Sequence, residues 1–306
     1  MLRKYQIIDG KLVENGHTDC PVHVYANPDE AERKYLVEQL LIDEHTLNSA
    51  LDPDELGRLE FESSHFALII KRPKKYSSED NFLLKISSVG LFFFQDKLVV
   101  LLSEDVPLFD GRLFTKIRSL TDFFLKVIHR CILHFEEHLQ VIQKISDELE
   151  REINKAMENK DLLHMFNLEK SLVYYLKAIS SNGKVIEKIK TNTAKFNLSM
   201  EEVEYLDDVL IENGQCFDEA NTYSQVLSGM MDAWVSIVSN NLNIRMKALT
   251  LVMICIMMPT LVISIFSMNV HLPLVNTESQ LSFWIILGLA LASSAGIGFV
   301  WWLRKW

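Results

Sequence analysis

The residues best suited to chemistry lie on one long stretch near the C-terminal end. Counting from Asp232 in steps of four and three gives Asp232, Ser236, Ser239, Asn243, Met246, Thr250, Met253, Met257, Thr260, Ser264 and Ser267. A spacing of 3.5 residues keeps them on a single seam, the geometry by which parallel helices face a common axis. The seam carries a carboxylate, an amide, hydroxyls and thioethers, while the other faces from residue 248 onward are Leu, Ile and Val. Two readings stay open here. Small polar residues on a membrane helix also glue helices together. The continuation of the seam through Asn243 to Asp232, with no hydrophobic plug replacing it, favours an axial pore, because rings of carboxylate and amide oxygens supply a field for cations without charge inside a bilayer. Met246, Met253 and Met257 would narrow such a pore and gate it by dewetting.

The elements that must position the seam follow from charge and hydropathy. The 306 residues carry a formal charge of −10. Their mean hydropathy of +0.09 averages two unlike parts. Residues 1–245 hold 28 basic and 40 acidic side chains, whereas residues 246–306 hold Lys247, Arg304 and Lys305 against Glu278. Residues 248–277 and 279–303 are uncharged, and about 20 apolar residues cross the hydrocarbon core as a helix. The chain is therefore expected to span a membrane twice. Arg245 and Lys247 flank the first span, Arg304 and Lys305 follow the second, and the short loop between has no Lys or Arg. The positive-inside rule puts both termini in the cytoplasm, as in a multi-pass cell (inner) membrane protein. Trp301, Trp302 and Trp306 stand where an interfacial aromatic belt would be. The opening MLRKYQIIDG reads as neither a signal nor a transit peptide. The acidic body argues against a nucleic-acid partner, and four scattered cysteines suit a reducing compartment rather than a disulfide framework.

The expected fold class is an α+β membrane protein. An N-terminal α/β cytoplasmic domain, residues 1–111, precedes long antiparallel cytoplasmic helices at 112–198. A stalk helix at 199–267 continues into the first transmembrane helix. An outer loop at 268–282 leads to a second transmembrane helix and cytoplasmic end at 283–306. In the first domain, YQIIDGKLVE reads as two strands around an Asp9-Gly10 turn, and HFALIIKRP, LLKISSVGLFFF and KLVVLLSE are strand-like. Asn27-Pro28-Asp29-Glu30 opens a helix to about Ile42, with Pro in its first turn. Two short helices broken at Asp52-Pro53 are expected over residues 47–59, and a polar loop over 74–81. Residues 115–158 predict a helix whose apolar face is Phe124, Ile128, Cys131, Phe135, Leu139, Ile142 and Ile145, and a second helix covers 160–194. Ser199 with Glu202 forms a capping box for the stalk helix. Asn213-Gly214 and Gly229 are its weak points. Unbroken to Phe266, it would be roughly 100 Å long.

The pattern NxxMKxLTxxxxxxxPTxxxxxxSMN, from Asn243 to Asn269, resembles the first transmembrane helix of the CorA family of divalent-cation transporters, which ends this helix with Gly-Met-Asn. The layout of the whole chain is similar as well. The resemblance implies a homopentamer in a lipid bilayer, with five first helices around one pore and a divalent cation as cargo: Mg²⁺ foremost, with Co²⁺ and Ni²⁺ as companions and Zn²⁺ as the rival. It implies that Ser267, Met268 and Asn269 set selectivity at the outer mouth, with Asn269 binding the hydrated ion. Thr260 and Asn243 would line the pore, Met246 and Met257 would constrict it, and Asp232 would form the inner acidic ring. Asp208, with Asp207 beside it, matches a carboxylate that binds regulatory metal in the family. No cofactor and no catalytic residue are implied.

Serine stands where the family has glycine. A glycine at a helix end usually serves a left-handed backbone, and serine in that conformation costs on the order of 1 kcal/mol. The outer loop carries only Glu278, with His271 near the motif. Loss of conduction through Ser267 would leave a membrane scaffold. A third class of function comes from His134, Glu137 and His138, which match the H-x-x-E-H zinc-peptidase string. A solvated helix face is the ordinary explanation of so short a match.

Overall fold

The computed structural model describes residues 1–15, 20–76, 82–153, 159–268 and 280–304. They fall into two compact units, Met1–Met231 and Asp232–Trp306.

The first unit is built on a seven-stranded sheet. Its strands are β1 (Leu2–Ile8), β2 (Lys11–Glu14), β3 (Val22–Ala26), β4 (Arg58–Phe61), β5 (Phe66–Pro73), β6 (Ile86–Phe93) and β7 (Leu98–Leu102), in the order β2-β1-β3-β7-β6-β5-β4. Among the described residues only β3 and β7 pair in parallel. Asp9 and Gly10, both at positive φ, close the β1–β2 hairpin with Ile8 opposite Lys11, as a two-residue primed turn requires. The central strands are buried on both faces, which explains their nearly continuous apolar sequences. Side chains alternate between two cores: Leu68, Ile70, Val89, Leu91, Leu98 and Val100 line one, and Ala67, Ile69, Phe92, Val99 and Leu101 the other.

The helices α1 (Glu30–Glu38) and α2 (Glu44–Leu51) supply Leu36, Leu47 and Ala50 to the second core. Gly90 lets α2 approach, because a Cβ there would lie 2.7 Å from that of Ala50. Two sequence expectations need correcting here. Helix α1 begins after Asp29, whose carboxylate accepts from the Glu32 N–H at 2.8 Å while Glu32 accepts from the Asp29 N–H at 3.1 Å. Asp29 outcompetes Pro28 as the start because it satisfies an orphan N–H. The helix stops at Glu38, and Leu41 at φ +54° turns the chain. No second helix follows Asp52-Pro53; Leu59 belongs to β4. The buried Lys71 ammonium takes the Asp52 and Pro53 carbonyls, at 3.3 and 3.0 Å, and the Ser88 hydroxyl. Burial pulls this lysine down to about 8.

The other core is covered by α3 (Leu120–Ile153), α4 (Asn159–Lys190), α5 (Thr193–Phe196) and the first part of α6 (Met200–Phe266). The predicted α3 face from Phe124 to Ile142 is buried. That helix starts at Leu120 rather than near 115, because Ser119 accepts from the Asp122 N–H at 2.9 Å, and Arg112–Thr115 form a separate 3₁₀ turn. The Ser199–Glu202 capping box is present. Neither Gly214 nor Gly229 interrupts α6, since a lone glycine weakens a helix by only about 1 kcal/mol.

One side chain ties α4 to the sheet where a strand runs out. The β4 pairing ends at Arg58 opposite Ile69. Beyond it, Asn182 accepts from the Lys71 N–H and donates to the Lys71 carbonyl, both at 2.8 Å, in full burial. The amide replaces a strand. Asn182→Ala is expected to destabilise the unit by about 3 kcal/mol, because two buried backbone groups lose their partners. The midpoint of urea unfolding measures this; a shift below a third of that size would refute the role.

Acid should also loosen this unit. Burial, with His138, Arg72 and Arg130 nearby, lowers His134 to about 4; burial and two lysines lower His23 to about 4. The unfolded chain takes these protons near pH 6.5. Between pH 6.5 and 4 it binds more protons than the folded chain, so stability is full above 6.5 and falls towards 4. Thermal unfolding followed across this window should show the decline, and His134→Gln should make it shallower.

Candidate functional site on the long helix

The seam lies in the second unit, which among the described residues consists of α6 from Asp232 and of α7 (Gln280–Arg304). Both helices are long and apolar enough to cross a membrane. On α6 the half-buried positions in the apolar half are Leu251, Cys255, Pro259, Val262 and Phe266, spaced by four and three. On α7 the covered strip centres on Ala290, with Ile286, Ser293 and Ile297 half-buried on the same face. Each helix thus has one partly covered strip.

The seam is somewhere else. Met253, Met257, Thr260 and Ser264 each stand two residues before a covered position, about 200° round the helix. Every seam residue from Asp232 to Ser267 is exposed, with Met246 at 60% and Met257 at 66%. The face opposite the half-buried strip is thus the one that carries the hydroxyls and thioethers. Three of its hydroxyls are spent in a particular way. Ser236 donates to the Asp232 carbonyl at 3.0 Å, Thr250 to that of Met246 at 2.8 Å and Thr260 to that of Ile256 at 2.8 Å. Each proton is held one turn back, so the oxygen offers lone pairs outward. At these positions the oxygens accept hydrogen bonds from the water around a cation. Pro259, on the covered strip, has no N–H for the Cys255 carbonyl one turn earlier.

At the helix end, Ser267 differs from the sequence expectation. It is absent from the residues at positive φ, which are Asp9, Asn27, Leu41, Phe82 and Asn197 besides glycines. Its N–H reaches the Ile263 carbonyl at 3.0 Å, and its hydroxyl donates to that of Ser264 at 2.9 Å. Serine continues the helical hydrogen bonding here and carries no left-handed strain. Met268 is 59% exposed. Asn269, His271 and Glu278 lie outside the described residues.

The two stalk carboxylates belong to the first unit. Asp207 pairs with Lys190 at 2.7 Å. Asp208 is exposed and, among the described residues, forms no hydrogen bond or ion pair. One turn away on the same α6 face is a contact the sequence reading missed. His129 of α3 meets the Tyr205 hydroxyl through Nδ1 and Glu212 through Nε2, each at 2.5 Å. Burial, with Asp122, Glu212 and Asp208 nearby, raises the Tyr205 hydroxyl well above its ordinary value. The signal was there in the spacing of seven between Tyr205 and Glu212. Finding it needed the partner helix.

The H-x-x-E-H string is brought together without a metal geometry. The His134 and His138 rings stand edge to face at 4.8 Å, His138 Nδ1 meets the Tyr175 hydroxyl at 2.8 Å, and Glu137 is paired with Arg130 at 2.7 Å. Among the described residues no three His, Cys, Asp or Glu side chains are grouped to hold a metal ion.

Comparison with known proteins agrees with the architecture. The cobalt/magnesium transport protein CorA of Methanocaldococcus jannaschii is 26% identical over 299 residues, 92% of either chain. The solved structure of CorA magnesium transporter from the same organism superposes with a TM-score of 0.81 at 21% identity, covering 98% of this chain and 96% of that one. The ZntB cytoplasmic domain from Vibrio parahaemolyticus gives 0.62 at 12% identity, over 78% of this chain and 98% of its own. The fold is that of CorA: a soluble N-terminal part, long helices and two candidate membrane helices. A sequence model of the family described as CorA-like Mg²⁺ transporter protein matches residues 22–305, and the chain belongs to that family of membrane ion transporters, which are not enzymes.

Proposed function

We propose that five copies of this chain form a channel-type transporter for divalent cations, with the α6 seam lining the pore. The observation that carries the reading is the exposed seam opposite the half-buried strip of α6, where Thr250 and Thr260 turn their lone pairs outward. Repeated five times, that face gives neutral rings of oxygen along an apolar bore. An Mg²⁺ ion sheds its water reluctantly, so it crosses with its shell held by such oxygens. The constrictions are Met246, Met253 and Met257, and the inner acidic ring is Asp232. At the mouth, Ser267, Met268 and Asn269 select the ion, with five Asn269 amides holding its hydration shell. Both termini are cytoplasmic, and the membrane potential drives entry.

Mg²⁺ comes first as cargo and Co²⁺ next, because the M. jannaschii relative is named for these two ions. Ni²⁺ follows by charge and size. Regulation runs through Asp208, with Asp207 secondary because Lys190 already neutralises it. Metal held by Asp208 between neighbouring copies keeps the pore closed, and metal loss loosens the ring.

In proteoliposomes carrying a Mg²⁺ indicator, Asn269→Ala is expected to cut uptake at least about tenfold, equal to roughly 1.4 kcal/mol at the mouth. Unchanged uptake would sink the pore assignment. Ser267→Gly should relieve nothing, since Ser267 is unstrained, and should leave uptake within about twofold. Competition with Zn²⁺ decides the rival cargo: Zn²⁺ outrunning Mg²⁺ would reassign it. Absence of all uptake would leave a non-conducting scaffold.

Asp208→Ala is expected to abolish closing by internal Mg²⁺ while leaving peak uptake intact. Closing that persists unchanged would remove Asp208 from regulation. A mass in detergent corresponding to a dimer would rule out the five-fold ring.

A further inference from the structure

Between Glu201 and Glu212, helix α6 places six carboxylates in twelve residues, with no basic side chain among them. Like charges one turn apart repel, and the neighbouring segments answer most of these. Arg118, just before α3, pairs with Glu201. Glu202 accepts from the Ser199 N–H at the helix cap. His129 of α3 meets Glu212 at 2.5 Å. Lys190, the last residue of α4, holds Asp207 at 2.7 Å. Glu204 and Asp208 are exposed and, among the described residues, form no hydrogen bond or ion pair.

The Lys190 pair stands apart from the others because its carboxylate is the immediate neighbour of Asp208. The Asp207 oxygen that faces the ammonium is shut off from water and receives no aligned hydrogen bond, so the contact works through charge alone. The rest of the pair is open: the Lys190 and Asp207 side chains are 43% and 42% exposed. An exposed ion pair adds little to stability. What this one changes is the field at Asp208. With Lys190 in place, Asp207 adds almost no net charge beside its neighbour. Without Lys190, a second carboxylate would stand next to Asp208 with no cation of its own.

We propose that Lys190 is a resident cation that sets how much internal metal is needed to occupy Asp208. The inference rests on the reading of Asp208 as the regulatory metal carboxylate. The ammonium already neutralises Asp207, so an arriving ion meets one uncompensated carboxylate instead of two. A divalent cation feels each carboxylate with twice the strength of a single charge, and uncovering Asp207 therefore tightens its hold. Lysine suits this task as a compact charge on a flexible stem, close enough to cancel a carboxylate without the two-point lock an arginine makes.

The test is thermal unfolding of the purified full chain in detergent against rising Mg²⁺, read as the Mg²⁺ concentration that gives half of the stabilisation. Lys190→Met is expected to lower that concentration about tenfold, and Lys190→Arg, which keeps the charge, to leave it within about twofold. Asp207→Asn should raise it, because Lys190 then stands unmatched beside Asp208. Lys190→Met combined with Asp207→Asn removes both charges and should return the value to within about twofold of the parent. The midpoint without Mg²⁺ verifies that each variant folds, and the Lys190→Met shift should shrink in concentrated KCl. A half-concentration that Lys190→Met leaves unmoved overturns the role, as does a double variant that stays where Lys190→Met alone lies. Either result leaves the metal reading standing, provided that Asp208→Ala removes the Mg²⁺ effect. Stabilisation that is absent, or that Asp208→Ala does not alter, overturns that reading and this inference together.

Discussion

A polar group on an apolar helix has to find its partner within reach of its own backbone. In hydrocarbon no water is available to satisfy a stray hydroxyl, and leaving one unsatisfied costs several kcal/mol. The apolar half of α6 meets this constraint by returning the protons of Thr250, Thr260 and Ser267 to carbonyls three or four residues earlier. At these three positions what faces outward is uncharged and accepts only. The restriction of the seam to Thr, Ser and Met between residues 246 and 267 follows from the same requirement. A carboxylate on this stretch could not be satisfied that way; Asp232 comes before it.

The first unit is governed by a different demand, the pairing of buried backbone. Its central strands are covered on both faces, so α1 and α2 on one side and α3, α4 and α6 on the other share one sheet. Asn182 stands in for a missing strand, and Lys71 closes the carbonyls after α2. His129 holds Tyr205 and Glu212 against α3. The stretch of α6 that carries Asp208 is therefore packed into the same core as the sheet, and a change at the carboxylate acts on a helix with many fixed neighbours.

Much of this was legible in the residues because it depends on short periods. The seam, the α3 face, the Asp9-Gly10 turn and the Ser199 cap are all set by neighbours within one or two helical turns. What escaped depends on contacts distant in sequence. Strand β3, with a histidine among apolar residues, and β4, with the polar sequence RLEF, show little pattern alone; each is a strand because another strand pairs with it. The helix expected beyond Pro53 fails because Lys71, some 18 residues on, removes its carbonyls. The clamp at His129 spans 83 residues to Glu212.

The conformation of Ser267 has a consequence for how such chains are found. The glycine of Gly-Met-Asn looks indispensable when the motif is read as a string of letters. Here the backbone at that position is one any L-residue adopts, and a hydroxyl fits it with a hydrogen bond to spare. A search keyed to the glycine passes over relatives of this kind, whereas one keyed to the 3.5-residue rhythm of hydroxyls and thioethers leading up to the asparagine retains them.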